Sequence, residues 1–207
     1  MINIIKHPII QHKLSLMRNK NTKTKEFREL TYEISLMLGY EAMRNLDTVM
    51  TEIETPLVKD IFPLVEARNI ALVPILRAGL AMSDAISDLM PTARIGHIGM
   101  YRDPITHKAV EYFCKLPSEI QNCNVFMLDP MLATGSSAIA AINLIKEKGV
   151  QNITFVSILS APEGIKALNT AHPDVIVYTA CVDKYLNADH YIIPGLGDAG
   201  DRIFGTM

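Results

Sequence analysis

Short apolar runs alternate with stretches of helical periodicity along most of the chain, and this alternation constrains the fold more than any other feature. The runs are Ile70 to Ile75, Ile95 to Met100, Val125 to Leu128, Ile153 to Leu159 and Val175 to Cys181. Each is too short for a buried helix, and all but Ile95 to Met100, which His97 and two glycines interrupt, are largely apolar rather than alternating, as suits a strand buried on both faces. Between them, Ala78 to Met90 has helical character and meets Pro91, while Ser137 to Lys148 puts Ile139, Ile142 and Ile145 on one face. Lys146 and Lys148 in a last turn, followed by Gly149, mark a helix end. Gly164 to Thr170 reads as another helix. Ahead of all these, Phe27, Leu30, Ile34, Met37 and Leu38 predict an amphipathic helix between Thr24 and Leu46. Elements in this order build an α/β fold, an open, mainly parallel sheet flanked by helices. A single domain spanning residues 1–207 is expected. Pro74 is awkward inside a central strand, so its run is expected to stop there.

Composition narrows the function. The 207 residues carry 20 basic and 22 acidic side chains, a formal net charge of −2, which disfavours a protein that coats nucleic acid. Apolar residues at 49% and charged residues at 20% exclude intrinsic disorder. No apolar stretch approaches the roughly 18–20 residues of a membrane span, and Lys6, His7 and His12 interrupt the N-terminus, making it a poor signal peptide. A cytoplasmic protein is expected. Cys114, Cys123 and Cys181 form no Cys-x-x-Cys pair, and none of the six histidines has metal-ligand spacing.

Ligands of open parallel sheets bind beyond the carboxyl ends of the strands, which directs attention to three loops. In the first, Asp129 is followed by Pro130, Met131, Leu132, Ala133, Thr134, Gly135, Ser136 and Ser137. Backbone N–H groups at a helix start, beside small hydroxyl side chains, suit a phosphate monoester. Asp129 cannot serve phosphate, because like charges repel, but it can accept hydrogen bonds from two sugar hydroxyls. A plain strand-to-helix turn with a Ser/Thr cap is the competing reading. Arg77 and Arg102 follow predicted strands, where a guanidinium suits bidentate contact with phosphate oxygens; either alone would also suit a surface ion pair. The last loop, Ile192 to Arg202, contains Gly195, Gly197 and Gly200 in a Gly-x-Gly-x-x-Gly pattern. With the sequence ending at Met207, the helix and second strand of a dinucleotide fingerprint are not expected. The glycines are better suited to exposing bare backbone to the edge of a flat polar ring.

The segment Asp129-Pro-Met-Leu-Ala-Thr-Gly135 resembles the phosphoribosyl-diphosphate motif of the type I phosphoribosyltransferases, in the form found in the uracil branch, where Pro130 replaces the usual second acid. His7 to Leu14, Pro74 to Gly79, Tyr101 to Asp103, Lys115 to Pro117 and Tyr191 to Arg202 resemble that branch's segments in order, and the last is specific to it. The resemblance implies the type I fold with an N-terminal helical segment and a small hood near the C-terminus. It also implies a pentosyltransferase of pyrimidine salvage, joining uracil to phosphoribosyl diphosphate (PRPP) to give UMP and pyrophosphate. By resemblance, Arg77 and Arg102 hold the diphosphate, and Asp129 takes the ribose hydroxyls. Pro130 to Leu132 belong to the same motif, Ala133 to Ser137 cradle the 5′-phosphate, and Asp198 also faces PRPP. Arg77, Arg102 and Asp198 are the catalytic candidates. Ile192, Gly197, Asp198 and Ala199 read uracil, largely through backbone groups. Mg2+ arrives on PRPP without a protein metal site, GTP is an allosteric activator in some members, and members assemble as homo-oligomers. Two departures stand out: Ser136 replaces a family glycine, and Pro104 to Val110 differs in composition. Rival readings are a different base, an RNA-binding regulator that retains the pocket, and a binding protein without turnover.

Overall fold

The computed structural model describes residues 1–66, 69–102 and 109–206, with Arg102 and Ala109 described by backbone alone. An edge strand, β1 (Ile2–Ile4), leads into helices α1 (Pro8–Arg18) and α2 (Thr24–Ala42). Strands β2 (Thr48–Glu54) and β3 (Lys59–Val65) form an antiparallel hairpin apart from the main sheet. There follow β4 (Ile70–Leu76), α3 (Leu80–Leu89), β5 (Arg94–Ile95), β6 (His97–Arg102), β7 (Ala109–Lys115) and β8 (Asn124–Leu128). Next come β9 (Met131–Leu132), α4 (Ser136–Glu147), β10 (Ile153–Ser160), α5 (Pro162–Ala171) and β11 (Ile176–Val182). The chain then makes a small ladder of β12 (Tyr185–Leu186) and β13 (Ile192–Ile193) before α6 (Ala199–Phe204).

The main sheet runs β1-β11-β10-β8-β4-β6-β7, with β5 beside β4 and β9 beside β10. Every pairing in it is parallel except β6 with β7, in agreement with the expected architecture. Side chains alternate across the sheet. Ile70, Leu72, Phe126, Leu128, Val156, Ile158, Tyr178 and Ala180 pack with α1, α2, α3 and α6. Ala71, Val73, Ile75, Val125, Met127, Ile153 and Phe155 face α4 and α5. Burial on both faces is why these strands read as unbroken apolar runs. No helix among the described residues is long and apolar enough to cross a membrane.

Three expectations are corrected. Pro74 does not end its strand: β4 continues to Leu76 with Pro74 in register with Leu128. In a strand, a residue's N–H and C=O point to the same side, and alternate residues share a side. Leu72 O accepts from Gly96 N on the β5/β6 side, so position 74 faces that side too. There the registers give β4 partners at 71–72 and 75–76 only, so the missing N–H falls in a gap of the ladder. The long N-terminal helix stops at Ala42 rather than Leu46. Neither the edge strand β1 nor the β2–β3 hairpin was expected, because their short or amphipathic runs lack a buried strand's signature.

Candidate active site

The carboxyl ends of β4 and β8 lie side by side, and a close packing step joins them. Gly79 sits so near β8 that a Cβ there would lie 2.2 Å from Leu128 O. Arg77 therefore emerges beside Asp129, and both line a cavity of about 390 Å³. Met131 and Ala133 contribute from the first loop; Ile192, Gly197, Asp198 and Ala199 close it from the C-terminal segment. Side chains from positions 77, 129 and 198 thus converge, although roughly sixty residues separate each from the next (77 to 129 to 198).

Each group carries its own electrostatics. The Arg77 side chain is 60% exposed, with its guanidinium 3.8 Å from Asp201 Oδ1 and 5.7 Å above the Phe204 ring. Burial pushes the Asp129 carboxyl up to about 7; the Met131 N–H, 3.3 Å from Oδ1, opposes the rise and the nearby Asp198 adds to it. Asp198 caps α6, its Oδ1 accepting from Asp201 N at 2.9 Å.

Beyond Ala133 the backbone turns at Gly135, whose φ of 82° is left-handed, and α4 begins at Ser136, one residue earlier than expected. The first i→i−4 bond of α4 runs from Ile139 N to Gly135 O, 2.8 Å, so the preceding N–H groups open the helix toward the loop. Thr134 Oγ1 accepts from Ser136 N at 3.3 Å and lies 3.0 Å from Ser136 Oγ. The Ser136 hydroxymethyl group is thus engaged with Thr134. Thr134, Gly135, Ser136 and Ser137 form the turn beside the cavity rather than its lining. Pro130 and Leu132 are buried; the carbonyl of the first accepts from Ile158 and Leu159 of β10, and that of the second from Ala161 just beyond it. Arg102 closes β6, its side chain outside the described residues; positions 103–108, most of the divergent 104–110 segment, lie outside them as well.

The cavity has members that sequence reasoning missed, Ala78, Asp189, His190 and Tyr191, beside Gly200 of the glycine loop. His190 lines the cavity with φ 63°. Also missed were three charged residues behind the glycine loop. Arg18 donates to both oxygens of Asp183, and Arg202 donates to the carbonyls of Met17, Leu196, Asn19 and Thr22. Burial alone would raise the Asp183 carboxyl, yet bonds from Arg18 and the Gly195 N–H hold it below the usual range. No local pattern marks such long-range pairs.

The family model described as uracil phosphoribosyltransferase matches residues 4–206. The uracil phosphoribosyltransferase of Pediococcus pentosaceus is 56% identical over 203 residues, 98% of this chain and 97% of the relative. That of Dictyoglomus thermophilum is 54% identical over 206 residues, 100% of both chains. The solved structure of the AQ2163 protein from Aquifex aeolicus superposes with a TM-score of 0.95 at 35% identity, covering 99% of this chain and 98% of that one. Adenine phosphoribosyl transferase from Trypanosoma brucei, solved with AMP, pyrophosphate and ribose-5-phosphate, gives a TM-score of 0.59 at 14% identity over 95% of this chain and 88% of that one, a likeness of fold alone.

Proposed function

Because the chain belongs to the uracil phosphoribosyltransferase family and makes UMP and pyrophosphate from uracil and PRPP in pyrimidine salvage, we propose that this chemistry takes place in the cavity between Arg77, Asp129 and Gly197. The observation that carries the proposal is the convergence of a largely exposed guanidinium, a buried carboxyl and a bare glycine backbone on one 390 Å³ space.

Displacing pyrophosphate from the anomeric carbon builds positive charge on the pentose and negative charge on the leaving diphosphate. Arg77, with Arg102 at the end of β6, stabilises that negative charge where it grows. One such donor is worth roughly 3 kcal/mol of transition-state stabilisation. Asp129, once ionised, accepts from the ribose hydroxyls, and the 134–137 turn receives the 5′-phosphate at the start of α4. Asp198, which lines the same cavity, faces the same sugar. Backbone groups at Ile192 and Gly197 to Ala199 meet the polar edge of uracil. An N–H aimed at the ring's O4 finds an acceptor in uracil and an amino donor in cytosine. Such a mismatch, which leaves buried groups unpaired, suffices for rejection by roughly 10⁴-fold.

A magnesium ion fits this cavity. Asp129 and Asp198 both face it, and Asp198 adds like-charge repulsion to the rise that burial imposes on the Asp129 carboxyl, a repulsion that a cation would relieve. Among the described residues no group of three or more His, Cys, Asp or Glu clusters as a metal cage. The ion would enter on PRPP and complete its shell with diphosphate oxygens and water. When bound, it supplies charge neutralisation at the leaving group. GTP activation and self-association are further parts of the proposal. The second is supported by the β2–β3 hairpin, whose Val49, Phe62 and Leu64 are exposed on one face.

The test is UMP formation from labelled PRPP with uracil, cytosine, a purine and orotate in turn, each with and without GTP and Mg2+. Turnover with uracil alone, dependent on Mg2+ and raised by GTP, is expected. Comparable turnover with cytosine would refute the account of the pocket, and a crystal soaked with UMP that held the nucleotide away from Thr134 and Gly197 would refute its location.

A further inference from the structure

We propose that Arg18 and Asp183 act as a positioning pair that sets the backbone reading uracil, an inference that rests on the glycine loop being the base site. Asp183 is 8% exposed, and Arg18 donates to its Oδ1 and Oδ2 at 2.7 Å each. What the pair holds is main chain. Asp183 Oδ2 accepts from Gly195 N at 2.8 Å, and Arg18 donates to Gly195 O, also at 2.8 Å. The peptide planes on both sides of Gly195 are thereby fixed. The next plane is fixed by Arg202, which donates to Leu196 O at 2.7 Å, and the preceding one by Lys184 N donating to Ile193 O at 3.0 Å. Four consecutive peptide planes are thus held immediately before Gly197, where backbone meets the cavity.

The anchor is the last turn of α1. Arg202 also donates to Met17 O at 2.8 Å and Asn19 O at 2.7 Å, the residues on either side of Arg18. A hydrogen-bond donor aimed at one edge of a pyrimidine discriminates only if it cannot rotate, because a loop free to turn its carbonyl toward cytosine's amino group would accept that base. Buried ion pairs are a poor source of stability compared with apolar side chains of similar volume. This pair instead spends its hydrogen bonds on loop backbone two residues from the base site, which is the arrangement a specificity device requires.

The experiment compares the parent with R18M/D183L, which removes both charges together so that neither is left buried alone, and with Arg18→Lys, which keeps the charge but loses the fork of donors. Folding is checked by circular dichroism and thermal melting. In the folded double variant the KM for uracil rises about tenfold or more and cytosine rejection falls by a similar factor, while the KM for PRPP stays within about twofold. Arg18→Lys gives an intermediate shift with the same split. Parental uracil KM and cytosine rejection in either variant, or KM values for uracil and PRPP rising together, would overturn the inference. A parent that formed no UMP would instead refute the functional reading beneath it.

Discussion

Gly79 and Leu128 touch across the ends of β4 and β8 so closely that the position beside Leu128 O has no room for a side chain. A Cβ on residue 79 would sit 2.2 Å from that carbonyl oxygen and 2.8 Å from both Ile75 N and Ile75 O. All three are backbone atoms, so none can swing aside. The contact sets how Arg77 and Asp129 face each other.

Gly79→Ala is therefore expected to destabilise the fold by about 1–3 kcal/mol, the usual cost of overpacking, and to lower UMP formation in the fraction that remains folded. Thermal melting would record a fall of roughly 2–4 °C per kcal/mol in a chain of this size. An unchanged melting temperature would refute the packing argument.

Arg77→Ala separates catalysis from stability in the opposite sense. Its ion pair with Asp201 is 3.8 Å long and largely solvated, a class of contact worth about 0–1 kcal/mol. Turnover is expected to fall roughly a hundredfold or more with little change in melting. Arg102→Ala is expected to behave likewise. Equal activity in variant and parent would remove the residue from the site.

Asp129 makes PRPP binding depend on pH. The ribose hydroxyls donate, so binding requires the ionised carboxylate, and this carboxyl is held at about 7. The KM for PRPP should fall as pH rises through 7, with a limiting slope of about tenfold per pH unit below it. Stability runs the other way. The fold favours the protonated form, so this contribution is complete below the ordinary value of 3.8 and is lost as pH rises through about 7. Asp129→Asn should flatten that part of the KM profile and raise the melting temperature more at pH 8 than at pH 5. A KM profile identical in parent and Asp129→Asn would exclude the residue from ribose binding.

The β2–β3 hairpin predicts the assembly state. An isolated two-stranded ribbon is marginal in water, and Val49 with Leu64 and Thr51 with Phe62 form cross-strand pairs on one face. If a second copy covers that face, Phe62→Asp lowers the assembled mass seen by light scattering. A monomeric parent would refute self-association.

How much of this was legible beforehand depends on sequence distance. Asp129 to Ser137 could be read directly because strand end, glycine turn and helix start are contiguous, and each leaves its own local mark. The strands β4, β8, β10 and β11 were legible because burial on both faces demands continuous apolar runs. Pro74 misled, since whether a missing N–H matters depends on which neighbour lies opposite, and the gap between β5 and β6 is a property of the sheet. Arg18 and Asp183 were silent: 165 residues apart, they are one pairing among the many that 20 basic and 22 acidic side chains allow.

Alone, then, the amino-acid order determined the layered α/β architecture, the glycine turn before α4 and the family, because periodicity, turn chemistry and contiguous motifs act over a few residues. Tertiary structure decided which distant groups share the cavity, why the Asp129 carboxyl is raised, and what holds the glycine loop in place. Those properties arise from burial and from contacts between segments that only packing brings together.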